Sequence, residues 1–133
     1  MAKGKETGLS RGLKAVFAVH GIISLISGVL LLFIPLTWAK SMQWALLDPE
    51  PIRVIGAFTL SLAIKDLFGY LAKQWSEVRI VVLFEVVWTL FAALTFLRSV
   101  MLGLIPATFW MMVILFAAFF VAWGYFYVKY RKQ

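Results

Sequence analysis

Ser61-Leu62-Ala63-Ile64-Lys65-Asp66-Leu67-Phe68-Gly69-Tyr70 sets a base beside an acid within an otherwise apolar run. If that run crosses a membrane, each charge costs about 2.5–3.5 kcal/mol on insertion scales, so it is rarely kept without a partner or a task. The wider chain supports the membrane reading. Its 133 residues are 63% hydrophobic and 14% charged, with a mean hydropathy of +0.94. Soluble domains are about 45–50% apolar and about 25% charged. Aromatic residues make up 17%, including six Trp, as suits rings seated at the headgroup level.

Working outward from Lys65-Asp66, the apolar run extends over about 52–72 and becomes the second of four spans. The others cover about 13–34, 78–97 and 106–128, each near the ~20 residues needed to cross ~30 Å of hydrocarbon. Span 1 is too long for a signal-peptide core, and Pro35-Leu36-Thr37-Trp38 has no small-x-small cleavage pattern, so it reads as a retained anchor. Thr37 to Leu47 carries Trp38, Met42, Ala45 and Leu46 at helical spacing, which predicts a short interfacial helix. Asp48-Pro49-Glu50-Pro51 is a stiff turn leading into span 2. Lys73 to Glu77 is short enough to make spans 2 and 3 an antiparallel hairpin. Met1 to Lys14, basic and punctuated by Gly4, Gly8 and Gly12, reads as a mobile or interfacial arm. The fold class is an all-α, four-helix membrane bundle forming one domain.

Charge sets orientation. Lys3, Lys5, Arg11, Lys14, Lys73, Arg79, Lys129, Arg131 and Lys132 flank one side of the spans, against Lys40, Arg53 and Arg98 on the other. The positive-inside rule selects both termini cytoplasmic in a cell membrane. The net charge of +7 then reflects topology and anionic headgroups rather than nucleic acid. Cysteine is absent and His20 is the only histidine, excluding disulfides, thiol chemistry and multi-His metal sites within one chain. No cofactor or resident metal is expected.

Depth can be compared across the spans. His20, Lys65 and Glu85 each lie seven residues from the cytoplasmic end of their span, roughly 10 Å deep at 1.5 Å per residue, with Asp66 one step shallower. Successive helical residues point about 100° apart, so Lys65 and Asp66 are not expected to face each other. Glu85 is the natural partner of Lys65; Asp66 has His20, and Tyr70 at i+4, as donors. Stripes of small and polar residues should face the interior. They comprise Gly21, Ser24 and Gly28; Gly56, Thr59, Ala63, Asp66 and Tyr70; and Glu85, Thr89, Ala92 and Phe96. Trp88, one turn from Glu85, is placed to cover a ligand or to fill space. Trp38, Trp44, Trp75, Trp110 and Trp123 read mostly as interfacial anchors, and Arg53 and Arg98 as an outer salt-bridge rim with Asp48 and Glu50.

Snorkelling by Lys65 is disfavoured, because Cα–Cβ bonds on span 2 tilt away from the cytoplasmic side. Buried pairs of this kind can serve only to fix register. Intramembrane ionisable groups are also the usual sites of ion and proton handling. No nucleophile–base pair or phosphate-cradling loop is present, so an enzyme is the weaker expectation. The leading reading is a transporter-like or ligand-binding module whose layer of His20, Lys65, Asp66, Glu85, Tyr70 and Trp88 binds a small molecule, ion or proton, with the bilayer as solvent and an oligomer as assembly. The alternative is an accessory or scaffolding subunit docking a partner membrane protein. A lipid-modifying enzyme ranks third.

Pro51-x-Arg53-x-x-Gly56-Ala57, with Glu85-x-x-Trp88 in the next span, resembles small four-span prokaryotic membrane proteins of unassigned function, DoxX-like in layout. The resemblance implies a helical bundle in a prokaryotic cytoplasmic membrane and brings no activity with it.

Overall fold

The computed structural model describes residues 8–45 and 48–132. Lys3, Lys5, Glu6 and the rest of the arm before Gly8, and Leu46 and Leu47, lie outside the described residues. Five α-helices follow in order: α1 (Arg11–Phe33), α2 (Pro35–Ser41), α3 (Glu50–Leu71), α4 (Trp75–Met101) and α5 (Trp110–Tyr130), with a 3-10 turn at Ala107–Phe109 before α5. Four helical segments (α1, α3, α4 and the stretch Ala107–Tyr130) are long and apolar enough to cross a membrane. No strand occurs among the described residues, where the one β-type contact is an isolated bridge between Gly8 and Gln74.

Helix ends follow local chemistry. Ser10 caps α1, its side chain accepting from the Leu13 N–H at 3.2 Å and satisfying an otherwise orphaned donor. Asp48 accepts from the Glu50 N–H at 3.0 Å, and Pro51 lies in the first turn of α3, where a missing N–H costs nothing. The short helix after α1 departs from expectation. It begins at Pro35, which heads it, and ends at Ser41. Gln43 turns the chain with φ +58°, so the helix does not continue through it.

The helices form two close pairs. α1 packs along α3 through glycines: Gly28 faces Leu60, Gly56 faces the backbone of Leu31 and Leu32, Gly69 faces the Phe17 ring and Gly21 faces Asp66 Cβ. A Cβ on Gly56 would lie 2.5 Å from the Leu32 nitrogen, so only glycine permits this approach. α4 packs along α5, while α1–α5 and α3–α4 meet sparingly. Large side chains bridge the pairs. At one end Leu13 and Phe17 of α1 join Trp75, Val78 and Val82 of α4 and Phe119, Trp123 and Tyr130 of α5 in one buried cluster. Toward the other end Trp88 meets Phe58 and Phe116 edge-on, and Phe116, Phe96 and Phe109 stack in series.

The start of α1, the α3–α4 turn and the end of α5 share one end of the bundle. The Leu9 N–H reaches the Lys73 carbonyl at 3.4 Å, and the Ser10 N–H donates to the Tyr130 hydroxyl at 2.9 Å. Arg11, Lys14, Lys73, Arg79, Lys129, Arg131 and Lys132 are thereby gathered there. At the opposite end Arg53 donates to Glu50 at 3.1 Å and to the Leu32 carbonyl at 2.7 Å, closing the last turn of α1.

Candidate functional site: a buried ring of charge

His20 on α1, Lys65 and Asp66 on α3 and Glu85 on α4 come together between the two helix pairs. His20 is 4% exposed, Asp66 1% and Glu85 0%. His20 Nδ1 lies 2.6 Å from Asp66 Oδ2. An ionised carboxylate only accepts, so Nδ1 carries the hydrogen of that bond. Lys65 Nζ donates to Glu85 Oε1 and lies 2.7 Å from Asp66 Oδ1, within ion-pairing distance but off the hydrogen-bonding direction. His20 Nε2 faces Glu85 Oε2 across 3.6 Å. That gap is too long for a hydrogen bond, and Glu85 Oε2 has no hydrogen-bond partner. The four side chains form a ring with one open edge.

The expectation that Lys65 and Asp66 do not meet is overturned. Their Cα–Cβ directions diverge, but the four-carbon Lys65 stem carries the ammonium round to a point shared by Asp66 and Glu85. The expected pairs Lys65–Glu85 and Asp66–His20 are both present. Tyr70 is not brought into the ring: it is 44% exposed, and its ring lies beneath Lys14 Nζ at 5.8 Å. The Asp66 oxygens instead face His20 and Lys65. Trp88 stays apart from the ring, packed against Phe58 and Phe116 with its indole N–H unpartnered.

Two residues of α5 that the sequence reading did not assign to the layer complete its wall. Phe119 meets the His20 imidazole edge-on at 4.6 Å. Trp123, read from sequence as an interfacial anchor, is 0% exposed. It lies 5.8 Å from His20 ring to ring, 5.8 Å beneath Lys65 Nζ and 4.9 Å from Phe17. The ammonium over the indole face gains a cation–π contact. The depth ruler that found the layer would also have found Trp123, five residues inside the end of span 4. On α4 the buried Thr89 hydroxyl donates to the Glu85 carbonyl at 2.6 Å, a back-bond that satisfies it one turn along from the ring.

Donor atoms of His20, Asp66 and Glu85 lie within 4.8 Å of one another, a set with a single histidine. The Lys65 ammonium already contacts both carboxylates of that set. Two carboxylates against one ammonium leave the ring one positive charge short when the imidazole is neutral. Fold and site together define a four-helix bundle with span-length helices and an unbalanced buried ring of charge. No protein-family model, curated protein or solved structure matches the chain.

Proposed function

We propose that the chain is a multi-pass protein of a prokaryotic cell membrane, with both termini cytoplasmic, and that its ring binds one proton or small cationic ligand as a transporter-like or ligand-binding module. The charge shortfall carries this reading. A net charge held away from water is costly and is normally offset by a proton or a bound ion. The basic residues gathered at the end that holds α1's start and α5's close support the orientation. Lys65, with its side chain 20% exposed, is the one ring member open to the outside, and so the point of entry.

Flux tests the proposal. Protein reconstituted in vesicles with an internal pH dye acidifies the lumen under a proton gradient, and Glu85→Gln, which removes the surplus negative charge, abolishes pH-dependent flux. Wild-type vesicles indistinguishable from empty ones, together with unchanged 15N signals of His20 across pH and across added Na+ or Mg2+, would sink it. The second reading is a scaffold whose ring only fixes register. The near-complete pairing of the ring favours it, and it is the reading left standing by that negative result.

A further inference from the structure

The open edge of the ring lies between the two helix pairs. His20 belongs to the α1–α3 pair and Glu85 to the α4–α5 pair. The groups around His20 are Lys65 and Asp66 from α3, Glu85 from α4, and the uncharged Phe119 and Trp123 from α5. With a neutral imidazole, the Nε2 lone pair confronts the unpartnered Glu85 Oε2, and neither atom has a hydrogen to offer. With one added proton, Nε2 donates to Oε2, every edge of the ring pairs an acid with a base, and the ring is neutral.

Resting on the proton-binding reading, we propose that the proton is held between His20 Nε2 and Glu85 Oε2, and that its occupancy sets how the α1–α3 pair sits against the α4–α5 pair. The added hydrogen bond draws the 3.6 Å edge toward roughly 2.8 Å, the usual length of a charge-assisted contact. Within the α1–α3 pair the spacing is fixed by close contact at glycine, as at Gly56 and Gly28. Across the pairs the backbones stand further apart, and the contact rests on side chains such as Phe17, Val82 and Trp123. Movement is therefore taken up between the pairs and not between α1 and α3. Rocking of one helical unit against another around a site at their interface is a known route to alternating access.

The absence of cysteine makes spin labelling clean. Labels at Val29→Cys and Leu94→Cys, both exposed, report α1 against α4; labels at Val29→Cys and Val54→Cys report α1 against α3. In vesicles, acidification shortens the α1–α4 distance by up to about 1 Å, the closure of the 3.6 Å edge. It leaves the α1–α3 distance unchanged, and His20→Gln removes the response. A fixed α1–α4 distance while 15N spectra show Nε2 gaining its proton overturns the coupling and leaves the proton-binding reading intact. So does a response that persists in His20→Gln. Spectra in which Nε2 never gains a proton overturn both.

Discussion

Removing the Lys65 ammonium and removing the Glu85 charge have unequal consequences. Lys65→Met leaves two carboxylates, 1% and 0% exposed, facing a single imidazole. Stranding a buried charge by deleting its partner costs about 3–5 kcal/mol. Glu85→Gln instead leaves Asp66 against Lys65, a balanced set, and the amide keeps an oxygen to accept from Lys65. Its cost is that of weakening one hydrogen bond, about 0.5–1.5 kcal/mol. The double variant removes one charge of each sign and retains His20–Asp66, so it recovers about 2 kcal/mol relative to Lys65→Met alone, within the usual range for coupled neighbours. The assay is unfolding of purified protein in mixed micelles, followed by tryptophan fluorescence. The order of stability is wild type, then Glu85→Gln, then the double variant, then Lys65→Met. If Glu85→Gln is as damaging as Lys65→Met, or if the two changes add, the charge count behind the functional proposal is wrong.

Gly56→Ala destabilises the same unfolding equilibrium by about 1–3 kcal/mol, the range for overpacking, because its Cβ meets α1 backbone that cannot move aside. Gly124→Ala, with nothing within 4 Å of the new methyl, is neutral or gains up to about 1 kcal/mol from helix propensity; equal effects at the two sites would contradict the glycine-mediated pairing. Tyr70→Phe shifts stability by no more than about 0.5 kcal/mol, as at ordinary exposed positions, whereas a loss beyond 1 kcal/mol would restore Tyr70 as a partner of Asp66. For orientation, an impermeant thiol reagent added outside intact cells labels Lys40→Cys and spares Ser76→Cys; the reverse pattern would overturn the cytoplasmic termini.

Sequence alone determined the class and the meeting of the layer. Hydropathy marks helices because backbone polar groups in hydrocarbon must be satisfied within the segment, and span length counts residues against a fixed thickness. Once antiparallel order is known, equal depth follows from a constant rise, which is why His20, Lys65, Asp66 and Glu85 could be placed together before any coordinates. The tertiary structure decided what direction and packing control. A long flexible side chain ends where its partners are, so the Lys65–Asp66 contact could not be read from the 100° between their Cα–Cβ bonds. Tyr70 and Gly69 are neighbours on α3, and which of them faces α1 depends on the helix rotation that lets Gly69 accept the Phe17 ring. Trp123 has the character of an interfacial anchor, and only the packing of α5 against Phe17 and His20 of α1 buries it beneath Lys65. The open edge between His20 and Glu85 is likewise a tertiary fact: it lies where two separately packed helix pairs meet, and no local rule of the chain sets the distance between them.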